Sequence, residues 1–528
     1  MGRATHSRRH GLKRSDRHIG PRVKVSLHKG GRRGGAHAAR ETRGMTTVSA
    51  ARTALFIGGR WVGGAGVHVV EDPATGAVIA EVATATPDHA RAAVDAAAMA
   101  LPAWATTAPR ARGEVLRRAY ESMIEHAEQL GDLIVAENGK PHSEALGEVR
   151  YAADYLRWFS EEAVRMEGHV LVAPAGGYRH LVQRHPIGVC MLVTPWNFPA
   201  AMAARKIAPA LAAGCTVVLK PSPETPLTAL AIADLLDDAG VPAGVVNVIP
   251  TDDAPSVVGA AMAERAVRKL SFTGSTAVGR RLLALAADRV VACSMELGGN
   301  APFLVLADLD DAGLDAAVDA AVIAKMRNSA QACTSANRFY VEAPIAEAFT
   351  ERFVARLGAM RMGPGADPSS DIGPLITEQA RRRVHQTVLD AVRDGASVVV
   401  GGEMPDGRGN FYPPTVLTGV APDADVLKAE IFGPVAPIVV VPADDDAGLL
   451  ALANGTEAGL VAYAYGSDLG RLLRLSEGLD AGMVGLNRGL ISDAAAPFGG
   501  TKQSGLGREG SSEGINEYTE QRYVAVSW

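Results

Sequence analysis

The sequence predicts an α/β fold organised on parallel sheet with helices on both faces. Three observations carry this expectation. Between residues 187 and 296, short apolar runs alternate with helical stretches. The runs are apolar at successive positions, as strands buried between two helix layers must be. The chemically distinctive residues fall where the runs end, at the carboxyl edge where such sheets bind ligands.

The chain has 528 residues, enough for two or three domains with full cores. It is 47% hydrophobic and 21% charged, the proportions of an ordinary globular protein. Cys190, Cys215, Cys293 and Cys333 are too few and too scattered for a disulfide framework. No CxxC pair occurs, so no metal site is expected. The longest apolar runs, such as IAPALAAGCTVVL, are too short to cross a bilayer. No stretch has the apolar region of a secretory signal, so a cytoplasmic location without a membrane partner is expected. The net charge of −5 is divided unevenly: residues 1–44 hold 13 Lys/Arg and 2 Asp/Glu, net +11, and the remainder holds 40 and 56, net −16. The basic segment lacks apolar periodicity, and residues 1–50 are expected to be a disordered tail. It reads as an extension upstream of Met45 rather than as a nucleic-acid arm or a targeting peptide.

The folded part is expected to begin near Ala54. TPDHARAAVDAAAMA predicts a helix with Thr86 as N-cap and Pro87 at the first helical position. A second helix is predicted from the stripe Leu116, Tyr120, Met123, Ala127, Leu130 and Ile134. From residue 187 the expected order is strand IGVCMLV, helix AMAARKIAPALAAG, strand CTVVLK and helix PLTALAIADLLDDAG, closed by Gly240. Strand GVVNVIP, helix APSVVGAAMAERA, strand KLSF, helix STAVGRRLLALAAD and strand VVACSMEL follow. A second βα-rich block runs from about 300 to 495, and INEYTEQRYVAVSW predicts a terminal strand.

Several segments at the strand ends can carry chemistry. FTGSTAVG places Gly274 and Ser275 at a strand-to-helix turn, where exposed backbone NH groups and the helix dipole favour a phosphate. The spacing is not that of the GxGxxG fingerprint, and a tight turn explains it equally well. Lys220 and Ser222 of LKPSPETP lie at the same edge. TPWNFP holds Asn197 between Trp196 and Phe198, either as turn chemistry or as an amide aimed at an oxyanion. MELGGNAPF ends a strand at Glu296, a capping carboxylate or a general base. In RNSAQACTSANRF, Cys333 has no bulky apolar residue within the four preceding positions, a poor setting for a core cysteine.

TPWNFP, KPSPETP, FTGSTAVG, MELGGNAPF, RNSAQACTSANRF, EIFGP and PFGGTKQSGLGREG occur in the order and spacing of the aldehyde dehydrogenase superfamily, which the chain resembles from about residue 54 to 528. RNSAQACTSANRFYVE, NRGLISDAAAPFGGTKQSGLGREG and AMAARK are most similar to the succinate-semialdehyde dehydrogenase branch. The resemblance implies a Rossmann-type cofactor domain over 51–163 and 187–298 and an α/β catalytic domain over 299–495. It also implies a small β oligomerisation element over 164–186 and 496–528, making a homodimer or homotetramer.

The resemblance further implies roles for individual residues. Cys333 is the nucleophile, the Asn197 amide and the Cys333 backbone NH stabilise the oxyanion, and Glu296 activates water. Thr194, Pro195, Trp196, Lys220, Ser222, Glu224, Gly274, Ser275, Leu297 and Gly298 line the cofactor site. Lys206 supports the asparagine and the ribose region, while Glu430 and Phe432 hold the nicotinamide ribose and ring. Arg205, Arg327 and Ser492 clasp a substrate carboxylate, with internal pairing of the arginines to Glu161 or Glu162 as the alternative. The branch implies succinate semialdehyde as substrate, with glutarate semialdehyde or a neutral aldehyde as alternatives, and a non-catalytic protein of this fold as a distant one. Pro223 stands where relatives place a ribose-binding glutamate, and Glu224 comes one residue later. With Lys220 and Ser222 free to meet a phosphate, NADP or dual use is favoured over NAD alone. Ala330 replaces a customary glycine, which tightens the loop before Cys333. Ser335 stands where some relatives carry a second cysteine, so their regulatory disulfide is not expected.

Overall fold

The computed structural model describes residues 52–528. The basic segment 1–44, and with it the expected disordered tail, lies outside the described residues. The helix expected after Thr86 spans Pro87–Thr106, and the Thr86 hydroxyl accepts from the His89 backbone NH at 3.4 Å. The second expected helix is two helices, Pro109–Glu125 and Ala127–Asn138. The break is at His126, whose backbone leaves the helical region (φ −101°, ψ 22°) while its ring bonds the Ser122 carbonyl at 2.8 Å. Leu116, Met123, Leu130 and Ile134 are nevertheless all buried, because the stripe continues across the kink.

Five parallel strands form the centre of an eight-stranded sheet, in the order Val246–Val248, Thr216–Lys220, Val189–Val193, Val267–Thr273 and Ala292–Glu296. Both faces of these strands are covered. Along Val189–Val193, Cys190 and Leu192 pack with the helices Pro199–Ala213 and Pro226–Asp238, whereas Val189, Met191 and Val193 pack with Pro87–Thr106 and Ala254–Ala263. Each such side chain contributes about 1.5–3 kcal/mol when fully buried. The connections run outward in opposite directions from Val189–Val193 and its neighbour Val267–Thr273. The gap between those two strands is therefore a topological switch point, with Thr194–Phe198 and Gly274–Ser275 at its carboxyl end. The short strand Gly505–Leu506 adds antiparallel to Ala292–Glu296 and places Gly505 opposite Glu296.

A second sheet of seven strands has the order Ser397–Val400, Thr415–Thr418, Val435–Val441, Ala336–Glu342, Ala301–Val305, Val461–Tyr465 and Met483–Leu486. Every pair in it is parallel except the first. The segment that carries Cys333 enters it directly, since Ala336 follows Cys333 by one short turn. A third, antiparallel sheet joins His169–Val172, Arg179–Pro186 and Thr519–Val526. The terminal strand thus pairs within the chain, with Tyr523 opposite Val182, and its other edge has no strand partner among the described residues.

Candidate active site

The helix Asp311–Met326 runs into the segment that carries Cys333. Three consecutive residues then take left-handed backbone angles: Asn328 (φ 52°), Ser329 (φ 55°) and Ala330 (φ 60°). That region costs an L-residue about 1–2 kcal/mol, so the surroundings must impose it. The Asn328 NH donates to Glu144 Oε2 at 2.6 Å, and Ser329 Oγ donates to the Gly373 carbonyl at 2.9 Å. The Gln331 side chain is held at both ends, accepting from the Ile376 NH at 2.9 Å and donating to the Pro374 carbonyl at 3.3 Å. Ala330 is fully buried, so the substitution for glycine is accommodated sterically and strains the backbone. A Cβ at Gly299 would lie 2.2 Å from the Cys333 carbonyl, which is why the chain approaches here through glycine.

Cys190 and Cys215 are buried, and Cys293 and Cys333 are half-buried. Burial pushes the Cys333 thiol up to about 12, while the Arg205 and Arg327 charges pull it back toward the thiolate. Asn197 is buried, and its amide meets the backbone two residues before Cys333. One amide proton goes to the Gln331 carbonyl at 2.9 Å, which leaves the second for a ligand oxygen. Its backbone carbonyl accepts from Lys140 Nζ at 2.8 Å and Asn328 Nδ2 at 2.7 Å.

Glu296 ends its strand 3% exposed, with Oε2 lacking any hydrogen-bond partner. Burial first, and then the Glu509 carboxylate, hold its carboxyl well above the usual carboxylate range. Arg205, Lys206 and Arg508 oppose that shift. An acid raised in this way, buried and without a hydrogen-bond partner on Oε2, suits proton transfer. Glu296 and Cys333 act on one another electrostatically, so the fold brings them into one site from two sheets.

Glu509, which the sequence reading did not single out, sits under this group. It forms ion pairs with Arg205 Nε and with Lys206 Nζ. Lys206 also donates to Ser271 Oγ at 3.0 Å. Lys206 was expected to brace the asparagine. Its ammonium is instead committed to Ser271 and Glu509, and the lysine on Asn197 is Lys140. The alternative partners of the arginines are taken elsewhere: Glu161 pairs with Arg157 and Glu162 with Arg165. Arg205 pairs with Glu509 but retains a buried Nη2 without an acceptor. Arg327 stacks 4.6 Å from the Phe198 ring centroid and donates to Ser492 Oγ at 3.3 Å. Arg327 and Ser492, which resemblance associated, are thus neighbours. Glu509 lies in the GREG stretch, but nothing in its sequence spacing signals the arginine it meets.

The residues expected to hold a dinucleotide lie along the switch point. Lys220 ends its strand 6% exposed, and burial lowers its ammonium to about 8, opposed by the Glu224 charge. A phosphate or ribose hydroxyl would offset that desolvation. Ser222 is not free as expected: its hydroxyl donates to Glu224 Oε2, because the turn brings the two side chains together. Nor is the Gly274 NH exposed, since it donates to the Glu296 carbonyl at 3.0 Å. Ser275 is exposed and caps the helix Thr276–Ala287, accepting from the Val278 NH at 3.4 Å. The Thr194 NH bonds the Lys220 carbonyl at 3.1 Å, tying the two strand ends together. The Leu297 NH bonds the Ser504 carbonyl at 2.8 Å, and Ser504 Oγ returns to the Gly298 carbonyl at 2.7 Å.

Glu430 accepts from the Gly299 NH at 3.3 Å, and burial raises its carboxyl to about 7. A Cβ at Gly298 would stand 2.9 Å from Glu430 Oε2. Phe432 (φ 52°) meets Trp196 edge-on at 5.5 Å between centroids, and Pro195 holds the turn before that ring. Buried Lys220, the glycine approach at Gly298 and the half-buried Glu430 and Phe432 form a cradle that fits a dinucleotide.

Residues 61–524 match the aldehyde dehydrogenase family. The chain is 52% identical over 450 residues to the succinate-semialdehyde dehydrogenase of Paenarthrobacter nicotinovorans, across 85% of this chain and 99% of the relative. It is 45% identical over 477 residues to the succinate-semialdehyde dehydrogenase [NADP(+)] of Escherichia coli K12, across 90% of this chain and 98% of the relative. The crystal structure of succinate-semialdehyde dehydrogenase from Burkholderia pseudomallei superposes with a TM-score of 0.88 at 45% identity, covering 91% of this chain and 99% of that one.

Proposed function

The chain belongs to the aldehyde dehydrogenase family, and we propose that it oxidises succinate semialdehyde to succinate in an NAD(P)-dependent reaction. The observation that carries this reading is the meeting of Cys333, the raised Glu296 carboxyl and the Arg327–Ser492 pair around one point. The identity to succinate-semialdehyde dehydrogenases supports it.

In this mechanism the Cys333 thiol gives its proton to solvent, a loss favoured by the Arg205 and Arg327 charges, and the thiolate sulfur attacks the aldehyde carbon. The carbonyl oxygen becomes an alkoxide that accepts hydrogen bonds from the free Asn197 amide N–H and the Cys333 backbone N–H. Bound NAD(P) supplies the hydride acceptor for oxidation of this thiohemiacetal to a thioester. Glu296 then takes a proton from the water that attacks the thioester carbon, and Cys333 leaves as thiolate. A thiolate is a better leaving group than an alkoxide, which is the reason for cysteine at this position.

Arg327, Ser492 and the free Nη2 of Arg205 hold the distal carboxylate. Lys220, Ser222 and Glu224 face the adenosine ribose, with Thr194, Pro195, Trp196, Gly274, Ser275, Leu297 and Gly298 along the cofactor, Lys206 beneath it, and Glu430 and Phe432 at its nicotinamide end. We read 51–163 and 187–298 as the cofactor domain and 299–495 as the catalytic domain. Residues 164–186 and 496–528 form the surface between copies. Val170, Leu171 and Val172, each more than half exposed on the three-stranded sheet, support that last assignment. No helix among the described residues is long and apolar enough to cross a membrane, and a cytoplasmic place is part of the same reading.

The test is the set of initial rates for succinate semialdehyde, glutarate semialdehyde and butanal with NAD and with NADP. The highest kcat/KM is expected for succinate semialdehyde. A higher value for butanal overturns the assignment.

A further inference from the structure

The helix that starts at His142 carries two acids one turn apart, Glu144 and Glu148, and Lys140 precedes it. Residues four apart share a helix face, and this face meets both loops of the site. Lys140, 1% exposed, donates to Glu148 Oε2 at 2.5 Å and to the Asn197 carbonyl at 2.8 Å. The other oxygen of Glu148 accepts from the Ala200 NH at 2.8 Å and the Ala201 NH at 3.3 Å. Those are orphan donors in the first turn of the helix Pro199–Ala213, where a carboxylate is also favoured by the dipole. One ion pair therefore grips the backbone from 197 to 201.

Glu144 grips the other loop through the Asn328 NH at 2.6 Å, and Asn328 Nδ2 returns to the Asn197 carbonyl at 2.7 Å. The circuit is closed: Asn197, Lys140, Glu148, one helical turn, Glu144, Asn328, and back to Asn197. It ties the amide beside the nucleophile to the strained segment that presents the nucleophile. A buried ion pair is a poor source of stability, because desolvation cancels much of the attraction. Its third contact, on the Asn197 carbonyl, is the feature an apolar pair of the same size lacks. The Phe198 ring adds a further restraint, with Lys140 Nζ 4.0 Å and the Arg327 guanidinium 4.6 Å from its centroid.

We propose that Lys140, locked by Glu148 and linked through Glu144 to Asn328, is a positioning residue that sets the Asn197 amide relative to Cys333. The inference rests on the reading of Asn197 as oxyanion donor.

A double-mutant cycle tests it in the full-length enzyme with succinate semialdehyde. Lys140→Met with Glu148→Gln removes the ammonium, leaves no uncompensated carboxylate and keeps an oxygen for Ala200 and Ala201. Expected is a fall in kcat of about tenfold or more, with KM for the aldehyde and cofactor affinity within about twofold. In the Asn197→Ala background the same pair should change kcat by less than about twofold, because the group it positions is gone. Glu144→Ala, at the half-buried end of the circuit, should show the same non-additivity with a smaller loss, and serves if the pair variant does not fold. Wild-type kcat in these variants, or equal losses with and without Asn197, overturns the proposal. Wild-type kcat in Asn197→Ala alone removes the oxyanion assignment and the proposal with it.

Discussion

Arg205 and Glu509 face each other as an ion pair inside the molecule, 1% and 5% exposed, although they come from opposite halves of the chain. Arg205 therefore has an acid of its own, whereas Arg327 has Ser492 and the Phe198 ring. Burial alone would lower the Arg205 guanidinium, but the Glu509 charge raises it above its ordinary value. The two arginines should behave differently when removed.

Arg327→Ala should lower kcat/KM for succinate semialdehyde by at least about thirty-fold, the effect of losing roughly 2 kcal/mol of carboxylate binding. It should lower butanal turnover far less, through the Cys333 thiol alone, and leave stability nearly unchanged. Arg205→Ala should also destabilise the protein, by roughly 3–5 kcal/mol, because it removes one partner of a buried pair. Kinetics on both aldehydes and denaturation curves for both variants check this. Equal losses on both aldehydes for Arg327→Ala would mean that this arginine is structural.

Cys333→Ala should abolish dehydrogenase activity while cofactor binding and the fold persist, since the proposed acyl-enzyme forms on this thiol. Turnover at the wild-type rate in this variant would sink the mechanism.

Glu296 works as a base only when ionised, so activity should fall as pH drops through its raised pKa. Burial and the Glu509 charge place that acid limb above the usual carboxylate range. Removing a like charge lowers a carboxyl pKa. Glu509→Gln should therefore move the acid limb to lower pH, and the Arg205 and Lys206 charges it leaves behind act in the same direction. A pH profile of kcat in which the limb stays in place would contradict this.

Ala330→Gly should raise the denaturation midpoint, with a net gain of about 0.5–1 kcal/mol. Relief of the left-handed strain at φ 60° exceeds the extra entropy of an unfolded glycine. A lowered midpoint would show that the Ala330 methyl contributes more by packing than its backbone loses.

Lys220→Ala should cost kcat/KM with NADP at least about tenfold more than with NAD, since a charge-assisted contact to phosphate is lost. Glu224→Ala should have the opposite effect on that ratio, because it releases the Ser222 hydroxyl and removes a like charge. Initial rates with both cofactors decide; an unchanged ratio in both variants would place the ribose elsewhere.

Much of the sheet was legible because its signals are local. Thr86 and Pro87 start a helix by short-range hydrogen bonding, and the runs VCMLV, TVVLK and VRKLSFT are buried strands whichever neighbours they meet. The kink at His126 was not legible, since the apolar stripe keeps its phase across it. Gly274 shows a similar limit: its turn was readable, but the donation of its NH to the Glu296 carbonyl depends on the register between two strands.

Residue types and their order alone determined the strand ends and the family, because each of the motifs that carry them is written within a dozen neighbouring positions. Only the tertiary structure decided which charges meet. Glu509 is delivered to Arg205 and Lys206 after Gly505–Leu506 pairs with Ala292–Glu296. Lys140 reaches Asn197, and Lys206 goes to Ser271. A buried charge takes the partner that folding places within about 3 Å of it, and that distance is set by sheet register and helix packing between segments far apart in the chain.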